Sequence, residues 1–115
     1  MSQQDLKKKN KLIIIETELK KSTFYSLIGR ASKKMRGISF NYQDSVFTIE
    51  FFFDQELTEE EEEEMEYAHT EVLADIWPDI YDGDIRLKLT VVPVTKDIFE
   101  KKGNRGWIFL RKEYE

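Results

Sequence analysis

Val46-Phe47-Thr48-Ile49-Glu50-Phe51-Phe52-Phe53-Asp54-Gln55-Glu56-Leu57-Thr58-Glu59-Glu60-Glu61 passes from one periodicity to another, and the fold follows from that change. Up to Phe53 the side chains alternate. Phe47, Ile49, Phe51 and Phe53 share one face, while Val46, Thr48, Glu50 and Phe52 share the other, which is the period of a strand. Just upstream, Ile38, Phe40 and Tyr42 alternate with Ser39, Asn41 and Gln43. A tight turn at Gln43-Asp44-Ser45 joins the two runs into a hairpin with one buried face. From Thr58 the period becomes helical. Thr58 and Glu61 form a capping box. Met65, Ala68, His69, Val72, Leu73 and Ile76 then recur at steps of three and four, as an apolar stripe. Pro78 ends this helix, because the residue before a proline avoids helical backbone.

Beyond Pro78 an acidic loop, residues 79–84, leads to a further strand. There Ile85, Leu87, Leu89 and Val91 face one way, and Arg86, Lys88, Thr90 and Val92 the other. Pro93 is tolerated at a strand end. Residues 94–106 make a basic connection through Gly103-Asn104-Arg105-Gly106, and residues 107–114 read as the last strand. Toward the N-terminus, Ser22 or Thr23 caps a helix carrying Phe24, Leu27, Ile28, Ala31 and Met35 at helical spacing, and Gly37 breaks it. Residues 12–21 fit a short strand or the first turn of a long helix equally well. Residues 1–11 read as a flexible lysine-rich tail, leaving 12–115 as a single domain. The order α-β-β-α-β-β predicts an α+β two-layer sandwich. Its four-stranded sheet should be mostly antiparallel, with the helices on one face.

The chain has 115 residues, 40% of them hydrophobic and 13% aromatic, enough to fill one core without disulfide or metal staples. It has no cysteine, which excludes structural disulfides and thiolate metal sites and fits a reducing compartment. Lys7, Lys8, Lys9 and Lys11 precede the apolar run Leu12-Ile13-Ile14-Ile15, but Glu16 and Glu18 follow at once. The run is too short for a signal sequence or a membrane span. A soluble, cytoplasmic protein without membrane contact is expected.

Charge is steeply partitioned. Between Arg36 and Arg86 there is no lysine or arginine, and that interval carries 16 acids. Residues 1–36 hold ten bases against three acids, and residues 86–115 hold eight against four, so the net charge of −5 conceals the contrast. A single-sign field attracts oppositely charged partners and speeds their capture. Part of the glutamate run at 59–64 is ordinary helix chemistry, because acids in a first turn complement the helix dipole. That reason does not extend to Glu63, Glu64 and Glu66. They create like-charge pairs four residues apart, each costing roughly 0.2–0.5 kcal/mol. Solubility alone is a sufficient reason for many charge runs. Here, though, further acids bracket the helix. The candidate partner-binding set is Asp54, Glu56, Glu59, Glu60, Glu63, Glu64, Glu66, Asp79, Tyr81, Asp82 and Asp84, facing a basic protein such as a nuclease. A second candidate is the outer sheet face, with Phe52, Arg86, Lys88, Trp107, Phe109 and Arg111. Such residues favour interfaces, a homodimer included. Equally, the long basic stems there could simply cover the rings.

Other chemistries find little support. Asp79-Ile80-Tyr81-Asp82-Gly83-Asp84 has acids and a glycine but lacks calcium-loop spacing, so no metal site is expected. No acid is singled out for carboxylate catalysis. His69, the sole histidine, lies beside the apolar stripe, where a satisfied boundary residue is the ordinary outcome. No nucleophile elbow or phosphate loop occurs. The expectation is a protein without catalysis or cofactor. The basic ends could form a phosphate-binding patch, but the acidic middle would repel nucleic acid. A general protein-interaction domain, or a nucleic-acid mimic acting on a DNA-binding protein, is the alternative function.

Two segments resemble small bacterial immunity proteins, including those of contact-dependent growth inhibition systems. One is Phe51-Phe52-Phe53-Asp54-Gln55-Glu56-Leu57-Thr58-Glu59-Glu60, continuing to Thr70-Glu71-Val72-Leu73-Ala74-Asp75. The other is Trp107-Ile108-Phe109-Leu110-Arg111-Lys112-Glu113. The resemblance covers residues 24–113, and the chain departs from it in its lysine-rich N-terminus and unbroken glutamate run. It implies a protein that binds one cognate toxin domain, usually a nuclease, and neutralises it in the producing cell.

Overall fold

The computed structural model describes residues 2–113. Two helices and four strands follow in the order α1 (Gln3–Ser26), β1 (Met35–Gln43), β2 (Val46–Phe53), α2 (Glu59–Ile76), β3 (Asp84–Val91) and β4 (Trp107–Leu110). A short 3-10 turn, Phe99–Lys101, precedes β4. The α-β-β-α-β-β order and the mostly antiparallel sheet agree with the sequence reading. The strand order is β3-β2-β1-β4. β1 pairs antiparallel with β2 and with β4, whereas β2 and β3 run parallel, as a crossover through α2 requires.

The hairpin turns on two residues. Asp44 and Ser45 have φ of 51° and 64°, a pair of left-handed conformations whose twist matches that of the flanking strands. The resulting register sets Phe40 opposite Ile49 and Ile38 opposite Phe51. β2 is an inner strand, and its end is buried on both faces. Phe51 and Phe53 join the main core with Met65, Ala68, Val72 and Ile76 of α2. Phe52 points the other way, into a small second core with Val92 and Ile98, against which Trp107 packs. The outer sheet face is therefore partly covered rather than an open aromatic surface. Phe52 is fully buried, and Arg111 turns to Asp54 at 2.9 Å, so Arg86, Lys88 and Phe109 are the exposed members of that candidate face.

The N-terminal third differs most from expectation. α1 begins at Gln3, capped by the Ser2 hydroxyl, which accepts from the Asp5 N–H at 3.1 Å. The lysine-rich segment read as a tail forms its first turns, and residues 12–21 continue it as helix. Ser22 and Thr23 are interior helix residues, not caps. The inward side consists of Ile15, Glu16, Leu19, Ser22, Thr23 and Ser26. Hydroxyls are suitable there because they bond locally: Thr23 donates to the Leu19 carbonyl at 2.7 Å, and Ser26 to that of Thr23 at 2.8 Å. Phe24, Ile28 and Ala31, read as the apolar stripe, are exposed. Met35 and Gly37 belong to β1, not to a helix and its breaker. Gly37 sits at a register shift where an added Cβ would come within 3.0 Å of the Trp107 ring and 3.1 Å of the Phe109 carbonyl oxygen. Close packing of β4 favours a glycine there.

β4 is shorter than the sequence reading, ending at Leu110, and the expected end at Tyr114 lies outside the described residues. An ion cluster anchors the chain after it. Arg36, almost fully buried, donates from Nε and a terminal nitrogen to Glu113, both at 2.7 Å, and to the Val92 carbonyl at 2.9 Å. Arg111 bridges Glu113 and Asp54. This gives the Arg-Lys-Glu end of the chain a structural role.

Candidate functional site

α2 carries the acidic run, and its cap is the one expected: Thr58 Oγ accepts from the Glu61 N–H at 3.1 Å, and Glu61 accepts from the Thr58 N–H at 2.9 Å. Its apolar stripe points into the core. That leaves two other sides, and they differ sharply.

The side facing α1 is neutralised. Arg30, just past α1, pairs with Glu64 at 3.1 Å and Glu71 at 2.8 Å. Lys34 pairs with Glu61 at 2.6 Å, and Ser22 donates to Asp75 at 2.7 Å. The Lys34 ammonium is the largest influence on Glu61, followed by the Thr58 N–H, and they hold its carboxyl down at about 2. Arg30 likewise holds Glu71 below the usual carboxylate range.

The other side is open. Glu59, Glu60, Glu62, Glu63 and Glu66 are exposed, and among the described residues none has an ion pair. Successive turns bring them onto one connected surface, with Tyr67 exposed beside them. Glu62, which the sequence-derived set omits, joins this surface. That it forms no ion pair among the described residues is visible only in three dimensions.

The remaining candidates divide. Asp54 is turned inward: its Oδ2 meets Arg111, while its buried Oδ1 has no partner among the described residues. Glu64 is committed to Arg30. Asp84 pairs with Arg86 on its own strand at 3.2 Å. Tyr81 packs edge-on against Phe47, with ring centroids 5.1 Å apart, and its hydroxyl donates to the Ser45 carbonyl. Burial first, then neighbouring Tyr42, push that hydroxyl up to about 12. Glu56 is exposed beside the start of α2, its carbonyl accepting from Lys34 at 3.0 Å. Asp79 and Asp82 are exposed on the rim of a cleft of about 640 Å³ that also contains Lys8, Lys9 and Lys11 of α1. Those lysines offset the loop's negative potential. The strongest acidic surface is thus α2's open side rather than the 79–84 loop.

His69 Nε2 lies 2.9 Å from the Ile85 carbonyl oxygen, so that nitrogen carries a proton and donates. The ring ties α2 to β3. Among the described residues, no group of three or more acids or histidines is placed to hold a metal ion, and no helix is long and apolar enough to cross a membrane.

The family model described as MafI2 immunity protein matches residues 16–113. The chain belongs to this family, as the resemblance of its two segments implied. The match spans β1 to β4 and begins inside α1, so the lysine-rich first turns precede it. A search of curated proteins returns no match. Family membership carries toxin immunity in general, with a cognate toxin as partner.

Proposed function

We propose that the protein neutralises its toxin by direct binding through the open side of α2, and that the toxin is a nuclease with a basic surface. One observation carries this reading. Glu59, Glu60, Glu62, Glu63 and Glu66 form no ion pair among the described residues, although Arg30 and Lys34 neutralise the opposite edge of the same helix. Like-charge spacing works against the helix, so intrinsic stability does not call for this arrangement. A nuclease must attract polyphosphate and is basic at its site; a carboxylate stripe complements such a surface and accelerates capture. Glu56 extends the field at the start of α2, while Asp79 and Asp82, offset by lysines of α1, add less to it. The protein acts stoichiometrically in the cytoplasm, without catalysis, cofactor or contact with nucleic acid. Contact-dependent delivery of the toxin is the setting to which the sequence resemblance points. Family membership favours this reading over a general adaptor or nucleic-acid mimic.

Co-expression with the toxin domain encoded beside the gene, followed by purification through a tag on the toxin, tests the reading. A 1:1 complex is expected, with association slowing as salt rises. A toxin domain that purifies alone, or binds equally fast at all salt concentrations, contradicts it.

A further inference from the structure

α1 turns apolar side chains to solvent over much of its length. Leu6, Ile13, Ile14, Phe24 and Tyr25 are all exposed, and Ile28 follows just beyond the cap; exposure reaches 61% at Ile14, 64% at Tyr25 and 75% at Ile28. The inward side near the helix end is built instead from Ser22, Thr23 and Ser26. Amphipathicity is inverted there. A helix needed only to close the core would gain about 1.5–3 kcal/mol for each large apolar side chain turned inward. Clustered exposed apolar groups of this kind mark interaction surfaces.

The charge around them is mostly positive, with Glu18 as an acid at one edge. By helical spacing, Lys9 and Lys20 border the stripe on one side, Lys7 and Glu18 on the other, and Lys21 stands within it. The nearby acid Glu16 is buried and committed to Arg105 at 2.5 Å and Lys20 at 3.4 Å. An anionic membrane would suit these lysines, but the carboxylates of α2 stand in the same helical layer and would be repelled from it. A protein surface with two adjoining charges satisfies both helices.

We propose that the outer side of α1 is the second half of the toxin-docking surface, contacting an apolar groove rimmed by carboxylates next to the toxin's basic patch. This rests on the toxin-binding reading above. The roles divide: exposed carboxylates of α2 govern the rate of capture, while the desolvated apolar stripe of α1 governs how long the complex lasts.

The test uses the full chain and a catalytically inactive form of the adjacently encoded toxin domain. In one variant, Ile14→Ser, Tyr25→Ser and Ile28→Ser are combined; all three positions are exposed, and an unchanged melting temperature verifies the fold. Dissociation should become about ten- to a hundredfold faster, with the association rate and its salt dependence unchanged. Amide exchange in the wild-type complex should show residues 13–28 newly protected. Unchanged dissociation, or no added protection of α1, overturns the proposal. If charge reversal on α2 still slows association in that case, the α2 reading stands alone. If neither helix affects binding, both readings fall.

Discussion

Paired and unpaired acids have opposite roles in this molecule. Asp54, Glu61, Glu64, Glu71 and Glu113 close against Arg111, Lys34, Arg30 and Arg36. Glu59, Glu60, Glu62, Glu63 and Glu66, several of them one residue from a paired acid, have no such partner among the described residues. The segregation of charge along the sequence is thus partly undone by folding. Bases from the two ends return to neutralise one edge of α2 and the end of β2. What survives is a narrower negative surface. Pairing serves the fold, and lack of pairing leaves charge available for a partner.

The largest effect separating the two groups is expected at the buried end of the paired set. Arg36→Met removes two of the hydrogen bonds to Glu113, which retains Arg111, and leaves the Val92 carbonyl without its buried donor, costing about 3 kcal/mol in urea unfolding. Any folded fraction should keep its association rate with the toxin. The converse is Glu60→Lys with Glu63→Lys and Glu66→Lys. Association should slow about 10- to 100-fold at low salt, while the melting temperature holds or rises.

Lys34→Met sharpens the contrast through pH. Glu61 has its folded pKa depressed from 4.5 to about 2. The stability it contributes is fully present above about pH 4.5 and is lost as pH falls toward 2. The stability gap between wild type and Lys34→Met should therefore close across that window. An equal gap at pH 2 and pH 7 would deny the pair its role. Arg30→Met should lower the melting temperature only slightly, since its pairs are partly solvated. The smallest expected change is Glu63→Gln, a gain of about 0.2–0.5 kcal/mol from relief of its repulsion with Glu59.

The features legible in the sequence were local ones. The Thr58–Glu61 cap, the alternation in 46–53 and the turn at Asp44-Ser45 depend on neighbours only a few residues apart. α1 was obscured because its inward side is written in serine and threonine, while Phe24 and Ile28 suggested the opposite face. Gly37 resembled a helix stop because nothing nearby in sequence reveals Trp107 lying over it. The acidic site was half legible for the same reason. Composition identified the run, but Arg30, Lys34 and Arg111 reach Glu64, Glu61 and Asp54 across 34, 27 and 57 positions. Which carboxylates remain open depends on those long-range pairings.

The central claim is that the open side of α2 captures the toxin. Its most direct test is the association rate of the full chain with an inactive toxin domain, measured by stopped flow across a salt series. Wild type is compared with the variant reversed at Glu60, Glu63 and Glu66. The account predicts a fast, steeply salt-dependent rate for the wild type, and a slow rate with a much shallower salt slope for the variant. Superimposable rates and slopes for the two proteins would contradict it.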